Sequence, residues 1–196
     1  MQNLVSQARK EGMISTGIDL FLSAVPATLV ALDIATGGIG LSGNKTATCI
    51  IGGIIFALLC VSVFFRLRAL RKISALSGIK AVALYRNCVI VCICVIAITS
   101  IFLSIPLSIS HKHLAMILCI LIAFAGAIYI IVAWFCINFA LARVSGVGIF
   151  ETYVWLCVIL FPLNALYHLI LPIVLIITTI VHLLAWSKIE KISVNV

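Results

Sequence analysis

Charged residues are scarce in this 196-residue chain, and their scarcity limits the classes of protein that it can form. Thirteen Lys and Arg and five Asp and Glu make up 9% of the sequence, against about 25% in a typical soluble domain. Hydrophobic residues make up 65%, and the mean hydropathy is +1.37. These values exclude a soluble enzyme, a disordered tail and a disulfide-rich secreted scaffold, because the apolar surface exceeds what an aqueous fold can cover.

The sequence also lacks the motifs that identify common catalytic and nucleotide-binding sites. It contains no phosphate-binding glycine loop with its lysine, no H-E-x-x-H motif and no serine–histidine–acid grouping supported by loop placement. No tract mixes basic residues with aromatic and polar ones as nucleic-acid-binding proteins do. We therefore predict a non-enzymatic protein with no catalytic residues, no cofactor, no metal site and no nucleic-acid partner.

Long apolar runs are what the sequence does contain, and they include all eight cysteines. A helix needs about 20 apolar residues to cross about 30 Å of hydrocarbon. Three runs satisfy this length, at 47–65, 87–109 and 114–142. Because every backbone polar group in a bilayer needs an internal partner, we predict that these runs are helices. The cysteines within them behave as small hydrophobic residues.

The apolar run nearest the N-terminus, residues 20–32, is short for a crossing. Asp19 and Asp33 bracket it, and Thr16 to Asp19 resembles the capping box that starts a helix. The run resembles a signal peptide in following Arg9 and Lys10, but Asp19 interrupts it and no A-x-A cleavage site follows. We interpret it as an uncleaved first span, with a re-entrant or interfacial segment as the alternative.

The last apolar stretch, residues 152–186, is too long for one straight crossing, since as a helix it would extend about 52 Å. Pro162, Asn164 and Pro172 offer places to break it. We predict two short helices with a bend around 164–168, and therefore six crossings. One kinked helix, and five crossings, is the alternative. The predicted fold is an all-α, polytopic transmembrane helix bundle in which residues 1–196 form a single integral membrane domain.

Basic residues predict the orientation in the membrane. The stretch 66–86 contains no acid and six cations, namely Arg66, Arg68, Arg71, Lys72, Lys80 and Arg86. The positive-inside rule makes this stretch a cytoplasmic loop. Six crossings then place eleven basic residues in the cytoplasm and two outside, whereas five crossings place nine inside and four outside. We therefore predict that both termini are cytoplasmic. Besides setting topology, the six cations could form an interfacial helix that binds anionic lipid headgroups or a partner.

Four polar residues within apolar stretches are the candidate contacts for an ion, a substrate or a partner. Asp19 and Asp33 are 14 positions apart, which places them within about 40° on one helix face. Carboxylates in a spanning segment usually face protein or water, so this pair could receive a cation, a proton or a basic side chain. Asn164 and His168 lie between the late prolines, either in a hairpin turn or deep in a broken helix.

These features favour a transport component or an accessory subunit of a membrane complex. The expected partners are the lipid bilayer, anionic headgroups, and another membrane protein or a second copy of this chain. One alternative is a membrane-embedded binding protein that recognises another membrane protein, as immunity and assembly factors do. The other alternative is a lipid-modifying enzyme, for which Arg143, Glu151 and His182 are the most plausible set near the cytoplasmic side.

Overall fold

The computed structural model describes residues 2–35, 45–104, 109–166 and 171–193, with side chains over 2–24, 52–102, 114–160 and 173–193. The described residues form helices and short connections, with no strand among them. The six helices are α1 (Gln2–Ala35), α2 (Lys45–Ser77), α3 (Ala81–Ser104), α4 (Ile109–Ser145), α5 (Ile149–Leu166) and α6 (Leu171–Ser187). The predicted all-α class is confirmed.

Three of the helices are long and apolar enough to cross a membrane within the described residues. The spanning candidates are Gly52–Ser77, Ala81–Phe102 and Leu114–Ser145. They coincide with the three long runs predicted from the sequence. Most of their side chains lie on the outside of the bundle, including Phe56, Ile93 and Phe124, each more than half exposed. Apolar surface of this kind is compatible with contact to lipid, which covers it without a hydrophobic penalty.

The last apolar stretch folds back on itself. Near one end of the pair the ring of Phe150 packs edge-on against Trp186, and one turn further Tyr153 stacks on His182. Early residues of α5 therefore contact late residues of α6, and the two helices run antiparallel. Residues 167–170, which connect the two helices in the sequence, lie outside the described part of the chain. The stretch is a helical hairpin instead of one kinked helix.

Two segments are more helical than the sequence predicted. The first helix begins at Gln2, well before the apolar run at 20–32, so Thr16 and Asp19 lie inside α1 and do not cap its start. The stretch 66–86, predicted as a cytoplasmic loop that could form an interfacial helix, continues α2 and starts α3, and it is helical except for the turn at 78–80. Helix α2 extends past Phe65 by about 18 Å. The charges in this stretch follow the apolar part of α2 and precede the apolar part of α3, and they do not break either helix.

The helices form a closed ring in chain order. Each packs against its neighbours in the sequence, and α1 closes the ring against α6. The buried hydrophobic core lies where α1, α3 and α5 begin and α2, α4 and α6 end; its larger members include Leu70, Ile73, Tyr85, Ile137, Leu141, Phe150, Trp186 and Ile189. We call this the basic end, because the cations that the topology prediction grouped together lie on these helix ends and turns. The backbone N–H of Ser193 donates to the Val144 carbonyl at 2.7 Å, which brings the C-terminal segment to the same end.

The two described turns at the basic end both use a glycine in the left-handed conformation. Gly78 follows α2 with a φ of 72°, and Gly146 follows α4 with a φ of 67°. The Gly78 N–H donates to the Ser74 carbonyl at 2.8 Å, which satisfies an acceptor at the end of α2. A side chain is disfavoured at such an angle, so glycine permits the chain to reverse within three residues.

Packing of α1 against α6 predicts opposite effects for two glycines one and a half turns apart on α1. A Cβ at Gly12 would clash with the Trp186 ring, whereas a Cβ at Gly17 meets nothing within 4 Å. We expect Gly12→Ala to lower the free energy of unfolding by about 1–3 kcal/mol, because the buried indole must move. Gly17→Ala should be neutral or stabilising, since alanine favours the helix. Thermal unfolding of the two purified variants in detergent tests this; equal melting temperatures would contradict the packing.

Candidate functional site

Asp19 and Arg66, assigned by sequence reasoning to different sites, form an ion pair with each other. The Arg66 Nη2 donates to Asp19 Oδ2, and Ser62 Oγ donates to Asp19 Oδ1 at 2.6 Å. The Arg66 Nε donates to Ser15 Oγ at 3.0 Å. We call Ser15, Asp19, Ser62 and Arg66 the charge network. It joins the middle of α1 to the end of the predicted span in α2.

The hydrogen bonds of the charge network close into a ring. The Oγ atoms of Ser15 and Ser62 lie 3.0 Å apart. Because the Ser62 hydroxyl donates its hydrogen bond to Asp19, the Ser15 hydroxyl donates to Ser62 and accepts from Arg66. The Ser62 Oγ also lies 3.3 Å from the Ser15 carbonyl oxygen, a longer contact than its hydrogen bond to Asp19. Bonds to charged groups arranged in this way strengthen one another where water is excluded.

Helix geometry explains why these four side chains meet. Ser15 and Asp19 are four residues apart on α1, as are Ser62 and Arg66 on α2, so each pair lies on one face. The two helices run antiparallel, which brings the pairs opposite each other. The Arg66 side chain is only 8% exposed, whereas that of Asp19 is 30% exposed. The arginine is thus enclosed, and the carboxylate is the accessible member of the pair.

An aromatic cluster continues from the charge network into α4, α5 and α6. The Arg66 guanidinium carbon lies 5.0 Å from the centroid of the Trp134 ring, a cation–π contact. The Trp134 Nε1 donates to Tyr153 Oη at 3.1 Å, and the Tyr153 ring stacks on His182 with centroids 4.4 Å apart. Phe150 and Trp186 pack edge-on against His182. These five rings, which we call the aromatic cluster, connect the buried arginine to three further helices.

A second, more exposed set of charges lies closer to the end of the bundle. The Lys72 Nζ donates to Glu11 Oε1 at 2.7 Å, and Arg68 Nε lies 3.2 Å from the same oxygen. Glu11 is buried, while half of the Arg68 side chain remains exposed. One acid on α1 therefore holds two cations of α2 and repeats, two turns away, the α1–α2 pairing made by Asp19.

The six cations of 66–86 separate into two groups. Arg66 and Lys72 form ion pairs with acids on α1 and are largely buried, so they do not contribute to the exposed basic surface. Arg68 is shared between Glu11 and solvent. Arg71, Lys80 and Arg86 are exposed, and among the described side chains they make no ion pair within 4 Å. The exposed surface that could bind headgroups or a partner therefore includes fewer of these six cations than the sequence predicted.

An apolar groove lies beside the aromatic cluster, between α4 and α5. Its volume is about 430 Å³, within the size range of small-molecule sites. Trp134 and Tyr153 line one part of it, and Ile130, Ile131, Phe135, Cys157 and Val158 line the rest. The groove is half-open on the outside of the bundle, so in a membrane it faces hydrocarbon.

The other predicted site residues fall outside these contacts. Asp33 lies in α1 and Asn164 in α5, but their side chains are outside the described residues, and His168 is outside them altogether. The three residues named for a lipid-modifying enzyme differ in exposure within the described part of the chain. His182 is 4% exposed inside the aromatic cluster, Arg143 and Glu151 are exposed, and no hydrogen bond or ion pair joins the three.

Sequence reasoning missed Ser15, Ser62 and Trp134 as partners of the ion pair. A signal was present in the repeated four-residue spacing, with a hydroxyl before an acid on α1 and a hydroxyl before an arginine on α2. Because Arg66 was assigned to a cytoplasmic loop and Asp19 to a spanning segment, the matching four-residue spacings did not indicate that the two residues pair. No spacing rule indicated Trp134, because its contact depends on how α4 packs.

Comparisons with protein-family models, with curated proteins and with solved structures found no match to this chain.

The charge network predicts different effects for breaking and for replacing the ion pair. Arg66→Met leaves the Asp19 carboxylate without its cation, and should lower the free energy of unfolding by about 3 kcal/mol. Replacing both charges, in Asp19→Leu with Arg66→Met, should recover most of that loss because no uncompensated charge remains. Chemical denaturation in detergent measures both variants.

Arg71→Met is the matched control for this experiment. It removes an exposed cation from the same helix and should change the free energy of unfolding by less than about 0.5 kcal/mol. A double variant less stable than Arg66→Met would contradict the pairing.

Proposed function

We propose that this chain is a non-enzymatic integral membrane protein that crosses the bilayer six times and acts as a transport component, alone or as an accessory subunit of a membrane complex. In this proposal Asp19 is the group that binds a proton or another cation. The observation that carries it is the ion pair between a partly exposed carboxylate on α1 and an enclosed guanidinium on α2, which is one of the spanning candidates.

The antiparallel arrangement of α5 and α6 supports six crossings. It brings the start of α5, the end of α6 and the C-terminal segment to the basic end, together with the turn at 78–80. Lysine and arginine resist translocation, so we propose that this end, with both termini, is cytoplasmic. A reporter that works only in the cytoplasm should be active when it is fused after Val196, and a reporter that works only outside the cytoplasm should be inactive there. An active external reporter would contradict this orientation.

The mechanism follows from the unequal exposure of the two charges. A proton reaching Asp19 neutralises the carboxylate and removes the main attraction holding Arg66 at this position. The guanidinium would then keep only the hydroxyls of Ser15 and Thr16 and the face of Trp134. An enclosed arginine without its counterion is costly, so protonation favours movement of α1 relative to α2. Such coupling between cation binding and helix movement is what a transport component requires.

Flux across a reconstituted membrane tests the role of Asp19. Liposomes containing the protein should dissipate an imposed proton or monovalent cation gradient faster than empty liposomes. Asp19→Asn keeps the shape of the side chain but cannot bind a proton in the same way, so we expect a loss of at least about tenfold in rate, the equivalent of 1.4 kcal/mol.

Glu151→Gln is the matched control, because it removes an exposed acid outside the charge network. Circular dichroism and gel filtration confirm that each variant is folded. If empty and protein-containing liposomes behave alike, or if Asp19→Asn retains the wild-type rate, the proposed transport role is wrong.

Recognition of another membrane protein is a second candidate function, supported by a separate observation. The three spanning candidates keep most of their surface outside the bundle, with large exposed side chains such as Phe56 and Phe124. Cross-linking from these two positions in the native membrane should give one defined heteromeric product if they contact a partner. Labelling by lipid alone would contradict this candidate.

A further inference from the structure

The outward face of α2 changes from apolar to basic along one continuous line. Val61, Phe64, Arg68, Arg71 and Ala75 are all exposed and follow one another at alternating steps of three and four residues, which keeps them on one face. The Arg68 guanidinium carbon lies 5.5 Å from the centroid of the exposed Phe64 ring. The line therefore passes from side chains suited to hydrocarbon to side chains suited to headgroups.

The outward face of α3 makes the same change on the other side of the turn. Arg86, Ile90 and Ile93 are exposed and lie on one line, with the arginine nearer the basic end. Lys80 is exposed in the turn that joins the two helices. Arg71 on α2, Arg86 on α3 and Lys80 in the turn between them thus lie within a segment of 16 residues that contains no acid.

Among the described side chains, no ion pair within 4 Å neutralises Arg71, Lys80 or Arg86. Glu11 is shared by Arg68 and Lys72, and Asp19 is paired with Arg66. The remaining acids described at the basic end, Glu151 and Glu190, are on α5 and in the C-terminal segment. The surface formed by Arg71, Lys80 and Arg86 therefore keeps its positive charge, and we call it the turn surface.

We propose that the turn surface is a binding site for the headgroups of anionic phospholipids. An anionic lipid matches both parts of the surface, since its phosphate meets the three cations and its acyl chains cover Phe64, Ile90 and Ile93 below them. A soluble acidic protein would match the cations but leave the exposed apolar side chains uncovered. The inference is independent of the proposed transport function, because it uses none of the charge network.

Lipid retention by the full-length protein in neutral detergent tests the site. Phosphatidylglycerol and phosphatidylcholine with identical acyl chains are added in equal amounts, and native mass spectrometry measures which remains bound. The wild-type protein should retain phosphatidylglycerol in preference. Each cation near an anionic headgroup contributes about fivefold to binding, so Arg71→Gln/Lys80→Gln/Arg86→Gln should reduce this preference by about tenfold or more.

A variant with the same loss of charge on another part of the basic end provides the control. Arg143→Gln/Lys188→Gln/Lys191→Gln also removes three exposed cations, at the end of α4 and after α6, and should keep most of the preference. All six positions are exposed, so both variants should fold, which gel filtration and thermal unfolding confirm. Equal losses in the two variants would assign the preference to net charge and overturn the site. A wild-type protein without preference for phosphatidylglycerol, including one that instead binds an acidic protein there, would also overturn it.

Discussion

At the basic end, one positive charge is held away from water and five helices meet around it. Arg66 belongs to α2, takes its counterion and hydroxyl partners from α1, and lies against Trp134 of α4. Tyr153 of α5 and His182 of α6 complete the layer behind that tryptophan. An enclosed guanidinium tolerates few arrangements, because each of its contacts must be made at once. The helices around it are therefore held in a defined register.

The location of the core follows from the solvent around each part of the chain. The apolar faces of the spanning candidates are compatible with lipid contact, and in a membrane lipid would cover them as well as another helix does, so they would gain little from mutual burial. Beyond the apolar layer, α2 and the ends of its neighbours must bury their hydrophobic side chains against one another. Leu70, Ile73 and Trp186 do so at the basic end. The charges of 66–86 lie on the outside of this packed region or in ion pairs within it.

Much of the fold could be predicted from the sequence, and the candidate site could be predicted only in part. The three long apolar runs predicted helices, and the charge-free stretch interrupted by Pro162 and Pro172 predicted the break between α5 and α6. The stretch 66–86 was predicted as a cytoplasmic loop that could form an interfacial helix, and it continues α2 and starts α3 instead, as suits lysine and arginine, which are good helix formers. Asp19 was singled out as a carboxylate that could receive a cation, a proton or a basic side chain, and the side chain with which it pairs, Arg66, is 47 positions away.

Composition and apolar run length determined, without any coordinates, that this chain is helical and suited to a membrane, because both are properties of local sequence in a known solvent. The basic clustering likewise marked the residues that gather at one end. Tertiary structure alone decided that Arg66 pairs with Asp19, that Glu11 holds Lys72, and that Arg71, Lys80 and Arg86 stay exposed. Those outcomes depend on which helix faces pack together and in what register, and that choice is made by contacts between residues far apart in the chain.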